Sequence, residues 1–168
     1  YLGNAAGGLV LLKENLYSGS HFRISLIQAH QRPIPRWRLG RKLAESGLIH
    51  AMIDLSDGIS TDLWHICQES HVGATVNAQA IPISEALEHL GDKTATPPEE
   101  WALHGGEDYE LLFTAPGSHR KQIESFGNGD SDPPIHRIGK IVKQTGVSLV
   151  TKAGTKALAP RGYSHFSG

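Results

Sequence analysis

The sequence predicts an α+β fold, a layered domain in which a mixed, largely antiparallel sheet is covered by helices. Three observations carry this expectation. The chain has 168 residues, the size of one domain with a core of its own. Three helical patterns come first, and strand patterns interleaved with helices follow. Several of the strands are joined by segments too short for a parallel crossover, which takes about a dozen residues or more. The last point argues against a doubly wound parallel sheet. Hydrophobic residues at 39% and charged residues at 20% exclude a disordered chain.

Each element has a local reason. Asn4 is a candidate cap for a helix over Ala5–Glu14, with Leu9 and Leu12 on its apolar side. Gly7-Gly8 inside it lowers helix propensity by about 1 kcal/mol per glycine, so close approach of another backbone or a frayed first turn is expected there. A second helix is expected over Gly19–His30. Arg32-Pro33-Ile34-Pro35 then enforces extended backbone. A third helix, Arg36–Glu45, ends near Gly47. Ile49–Leu55 reads as a buried strand, Ser56-Asp57-Gly58 as a tight turn, and Ile59, Leu63, Ile66 and Cys67 as the apolar stripe of a helix. Beyond it come a strand over Ala74–Ala78, a short helix over Ser84–Leu90 closed by Gly91, and a loop over Asp92–Pro98. A helical turn over Glu99–Leu103, a strand over Tyr109–Thr114 and a helix over His119–Phe126 follow. Gly127–Pro134 has the composition of a loop. Ile135–Val142 and Val147–Thr151 are expected to pair as a hairpin across Lys143–Gly146, and Leu158–Phe166 to be mainly irregular.

Composition also limits function. Sixteen Lys and Arg against seventeen Asp and Glu leave a net charge of −1, which argues against a broad nucleic-acid face. No apolar run approaches the roughly 20 residues of a membrane span. The single cysteine, Cys67, cannot form an internal disulfide and points to a reducing compartment, the cytoplasm. The ten histidines show no zinc-ligand spacing with a supporting cluster. Neither a P-loop nor a dinucleotide-binding glycine fingerprint is present. The chain starts at Tyr1 in what is almost at once a helical pattern, and it reads as a piece of a longer protein.

Four segments can carry chemistry, and each has two readings. Asp54-Leu55-Ser56-Asp57-Gly58 sets two carboxylates and a hydroxyl at the end of a buried strand. Such a set suits Mg²⁺ and phosphate; it equally suits a turn in which Ser56 or Asp57 caps the next helix and Asp54 satisfies turn N–H groups. His104-Gly105-Gly106-Glu107-Asp108-Tyr109-Glu110 is either a ligand-approachable glycine turn or a plain turn with solvated acids. Arg32 and Arg36 clamp a phosphate, or are solvated on a proline-set linker. Tyr163 and Phe166 pack on the domain, or stack on a flat ring.

Taken together, Met52-Ile53-Asp54-Leu55-Ser56-Asp57-Gly58-Ile59-Ser60-Thr61-Asp62-Leu63 and Gly105-Gly106-Glu107-Asp108-Tyr109-Glu110-Leu111-Leu112-Phe113-Thr114 resemble the thiamine-monophosphate kinase family. Arg32-Pro33-x-Pro35-Arg36 and Gly162-Tyr163-x-His165-Phe166 match it in the same order. The resemblance covers nearly the whole chain and is to the family's C-terminal domain; the Asp-x-Ser-Asp-Gly core is shared with relatives such as aminoimidazole ribonucleotide synthetase. Where this chain has Asn4, the family pattern usually has Asp.

The resemblance implies a fold like the aminoimidazole ribonucleotide synthetase C-terminal domain and transfer of the γ-phosphoryl group of ATP to thiamine monophosphate. It implies Asp54 and Asp57 as Mg²⁺ ligands, Ser56 as an ATP-binding residue, and Glu107 and Tyr163 as substrate-binding residues. It further implies one domain over residues 1–168, an N-terminal nucleotide- and metal-binding domain outside this chain, a homodimer in the full-length protein, and no turnover by this chain alone. A non-catalytic ligand-binding module of the same fold, or another ATP-using member of the superfamily, is the alternative.

Overall fold

The computed structural model describes residues 1–14, 21–127 and 132–161. Three helices open the chain: α1 (Asn4–Lys13), α2 (His21–Gln31) and α3 (Trp37–Glu45). β1 (Ala51–Asp54), α4 (Ile59–Glu69), β2 (Gly73–Asn77), α5 (Glu85–Thr94), α6 (Pro98–His104) and β3 (Leu111–Thr114) follow. The chain continues through α7 (Arg120–Ser125), β4 (Gly139–Val142), β5 (Gly146–Thr151) and β6 (Gly154–Ala157). The strands form a two-stranded sheet, β1-β3, and a four-stranded sheet ordered β4-β2-β5-β6. Only the β2-β5 pairing is parallel among the described residues, so the α+β, largely antiparallel expectation holds.

The main core lies where α4 meets both sheets. Ile59, Leu63, Ile66 and Cys67 are its buried stripe, packed with Leu55, Val76, Leu112 and Leu149. A second cluster joins α1, α2 and α5 through Leu11, Leu26, Leu87 and Leu90. A third packs Leu39 and Leu43 of α3 on Ile123 of α7. The Gly7-Gly8 pair is explained by close approach: a Cβ at Gly8 would stand 2.1 Å from the Leu26 carbonyl oxygen, and one at Gly7 would stand 2.7 Å from Leu87 Cδ1. The break in propensity inside α1 therefore lets α2 lie directly on its backbone.

Three local expectations change. Asn4 does not cap α1; Gly3 holds that position without a side-chain bond of its own, and the Asn4 amide oxygen accepts from Ser84 Oγ at 2.6 Å. α5 runs past Gly91 to Thr94 and stops at Ala95, whose φ is +55°. Gly91 serves packing instead, since its Cβ would meet the Pro98 ring at 2.8 Å. β4 and β5 are not a hairpin, because β2 lies between them and pairs with both. The connection crosses the start of β2, where a Cβ on Gly73 would meet the Gln144 carbonyl oxygen. The true hairpin is β5-β6; all four β6 residues are exposed, so β6 shows no apolar alternation from which it could be read. The expected start of α2 at Gly19 and residues 128–131 of the expected loop lie outside the described residues.

Candidate active site

The two long motifs form one body. The β1-β3 ladder pairs Asp54 with Leu111, and backbone bonds extend the contact beyond it. Leu55 N–H donates to Glu110 O at 2.8 Å, Tyr109 N–H to Leu55 O at 2.9 Å, and Glu107 N–H to Ser56 O at 2.9 Å. This approach requires glycine on both sides. A Cβ at Gly106 would lie 2.3 Å from Ser56 O, and one at Gly58 would lie 2.7 Å from Gly105 O. Gly58 also has φ +93°, a conformation L-residues rarely adopt. Glu107 and Tyr109 carry positive φ without being glycine, at +66° and +49°. That shortens β3 from the expected Tyr109 start to Leu111. Strained backbone of this kind persists where the surroundings over-determine it.

The acids of this body have five different fates. Asp62, in the first turn of α4, is 1% exposed and accepts the Asp57 N–H at 3.1 Å and the Ser56 N–H. Burial raises its pKa, and the nearby charges of Asp57 and Asp54 add to the rise. Asp62 therefore fixes the turn from below. Neither Ser56 nor Asp57 caps α4, whose N-cap is Gly58 without a side-chain bond. Asp54 is exposed at the end of β1 and Asp57 partly exposed in the turn; among the described residues neither carboxylate has a hydrogen-bonding or ion-pair partner.

Asp108 is a helix cap rather than a solvated acid. Its carboxylate accepts Gly3 N–H at 2.6 Å and Ala5 N–H at 3.1 Å, at the positive end of α1. Burial outweighs those bonds and pushes its pKa up to about 6. Glu110 forms a two-pronged pair with Arg36, at 2.9 Å to Nε and 2.7 Å to Nη2. That hydrogen bond raises the Arg36 pKa, and it engages the arginine that the sequence offered as half of a phosphate clamp. Glu107 stays 55% exposed, with Oε2 3.2 Å from His30 Nδ1.

Two unpaired carboxylates, packed near a third that is buried and bonded to backbone, concentrate negative charge at one turn. Such a turn suits a hard divalent cation that also takes ligands from water or phosphate. Among the described residues no group of three His, Cys, Asp or Glu side chains is placed to hold a metal ion. The structure thus brings Asp54, Ser56, Asp57 and Glu107 to one turn-and-strap body; Tyr163 lies outside the described residues. Sequence reasoning assigned no role to Asp62 or His30. Asp62 was visible as an acid beside the apolar stripe Ile59, Leu63, Ile66, where a solvated residue does not belong; His30 had no local signal.

The family profile described as AIR synthase related protein, C-terminal domain, matches residues 7–152. The chain belongs to that family. It is 37% identical over 171 residues to a thiamine-monophosphate kinase of Salmonella typhimurium, covering 98% of this chain and 50% of the relative. It is 37% identical over 142 residues to that of Rhodopirellula baltica, covering 84% and 44%. The chain thus spans about half the length of the curated relatives it matches. The structure of AaThiL complexed with AMPPCP and TMP superposes with a TM-score of 0.81 at 32% identity, over 98% of this chain and 48% of that one. Thiamine-monophosphate kinase from Stenotrophomonas maltophilia gives 0.79 at 37%, over 88% and 47%. Escherichia coli HypE shares the fold of this AIR synthase related domain, with a TM-score of 0.77 at 16% identity. No helix among the described residues is long and apolar enough to cross a membrane.

Proposed function

We propose that this chain is the C-terminal half of a thiamine-monophosphate kinase, which transfers the γ-phosphoryl group of ATP to thiamine monophosphate and yields thiamine diphosphate and ADP. One observation carries the reading: the Glu107 N–H to Ser56 O bond, which ties an exposed acid to a turn bearing two unpaired carboxylates. The names of the relatives and the AMPPCP and TMP bound to AaThiL supply the substrates.

Phosphoryl transfer asks a protein for positioning and charge neutralisation more than for covalent chemistry. Asp54 and Asp57 would hold Mg²⁺, which when bound offsets the charge of the phosphates. The Ser56 hydroxyl donates to a phosphate oxygen of ATP. Asp62 keeps Ser56 and Asp57 in register by holding their N–H groups. Glu107 faces the cationic heterocycle of thiamine monophosphate, and Tyr163 stacks on its ring. The remaining nucleotide- and metal-binding groups come from an N-terminal domain outside residues 1–168, in a cytoplasmic homodimer.

The test is thiamine diphosphate formation by the full-length protein and by residues 1–168 alone. Mg²⁺-dependent formation by the full-length protein, with none by this chain, is expected. A full-length protein that binds AMPPCP but forms no thiamine diphosphate would mark a ligand-binding module of the same fold.

A further inference from the structure

His30 stands in the last turn of α2. Its Nδ1 is shut off from solvent and has no well-aligned hydrogen bond among the described residues. A buried ring nitrogen without a partner is unfavourable and calls for an explanation. Glu107 Oε2 lies 3.2 Å away, on a side chain that is 55% exposed and able to reorient, whereas the imidazole is only 20% exposed.

The position of His30 is fixed by a closed chain of contacts. α2 lies against the backbone of α1, and a Cβ at Gly8 would meet Leu26 O at 2.1 Å and His30 Cβ at 3.0 Å. The N-terminus of α1 is tied to Asp108 through Gly3 and Ala5. Asp108 adjoins Glu107, whose N–H is held by Ser56 O and whose φ is +66°. The circuit runs from Glu107 through Asp108, α1 and α2 to His30, and closes on the Glu107 carboxylate. It accounts for three otherwise unrelated oddities: a glycine, Gly8, inside a helix, a cap supplied from about a hundred residues away, and a non-glycine residue at positive φ.

We infer that His30 is a positioning residue for Glu107. Its Nδ1–H donates to one carboxylate oxygen when substrate is bound and holds the other toward the cationic heterocycle. Such alignment selects the thiamine moiety and leaves the ATP side of the site alone. This inference rests on the kinase reading above.

The test is steady-state kinetics on the full-length protein, with thiamine monophosphate and ATP varied in turn. His30→Phe keeps a ring and removes the donor; it should raise KM for thiamine monophosphate about tenfold, with kcat and the KM for ATP within about twofold. His30→Asn, whose Nδ2 takes the place of Nδ1, should recover KM to within about threefold of wild type. In a Glu107→Gln background, His30→Phe should add less than about twofold. If His30→Phe does not fold, His30→Ala makes the same comparison. A donor-free variant with the wild-type KM, one that shifts both substrates and kcat together without rescue by Asn, or one with an equal effect in the Glu107→Gln background overturns the inference. Failure of the wild type to form thiamine diphosphate overturns the kinase reading itself; an active wild type with any of those three results overturns only the role of His30.

Discussion

The turn after β1 and the strap before β3 are built from the same materials, acids flanked by glycine, and they are bonded to each other backbone to backbone. In the turn, Asp54 and Asp57 make no side-chain bond among the described residues, while the buried Asp62 does the structural work beneath them. In the strap, Asp108 caps α1 and Glu110 grips Arg36, and only Glu107 is left exposed. Residue type and glycine context therefore do not decide an acid's role. What decides it is whether the fold delivers a partner, and in the strap the partners come from residues far away in the chain.

Four predictions can break or sharpen that contrast. The largest effect belongs to the turn. Asp54→Asn or Asp57→Asn in the full-length protein should lower turnover by about a hundredfold or more through lost charge neutralisation. The melting temperature should change little, because neither carboxylate holds the fold together. A drop in melting temperature with turnover retained would reverse the assignment.

Next comes the seam between the segments. Gly106→Ala sets a Cβ 2.3 Å from Ser56 O, against backbone that cannot swing aside, and should cost about 3 kcal/mol in denaturant unfolding. If the seam is real, the same variant also disturbs Asp57 and lowers turnover. Equal stability to wild type would show that turn and strap are not in contact.

Arg36→Ala should cost about 2 kcal/mol, because it leaves Glu110, itself 18% exposed, without its two-pronged partner. Chemical denaturation of the double variant with Glu110→Ala provides the check: the two losses should not add.

The smallest effect is at Asp108, and it carries a sign. Asp108→Ala removes the cap and should cost about 1 kcal/mol. The folded-state pKa is raised from 3.8 to about 6, so the folded state binds the proton more tightly than the unfolded chain. The contribution of Asp108 is thus fully present below pH 3.8 and is lost as pH rises through about 6. Asp108→Asn keeps an acceptor without the charge. Its stability relative to wild type should therefore rise across that window and level off above it. Thermal melts of both proteins from acid to neutral pH would show this; a difference that falls with pH would contradict the burial account.

Local patterns made much of this readable. The stripe of α4, the proline-set segment before α3 and the apolar run of β1 each carry their own periodicity or punctuation; the first two folded as read, whereas β1 formed over Ala51–Asp54 with half-buried and exposed residues in alternation instead of as a buried strand. The two candidate motifs stood out for the same reason, since the residues of each are contiguous; the structure adds that they bond to each other backbone to backbone. What stayed hidden depends on distance. Nothing near Asp108 says that α1 needs a cap, and nothing near His30 points to Glu107. The order of the four-stranded sheet was missed because β4 and β5 look like neighbours in sequence, and only the lack of a Cβ at Gly73 lets their connection cross β2.

The most direct test of the contrast is a Mn²⁺ titration of the full-length protein with AMPPCP, followed by electron paramagnetic resonance, comparing wild type, Asp57→Asn and Asp108→Asn. Each replacement removes one carboxylate charge from the same body. Asp57→Asn should weaken Mn²⁺ binding by about tenfold or more, while Asp108→Asn should bind as wild type does. Equal weakening in both variants, or wild-type binding by Asp57→Asn, would contradict the account.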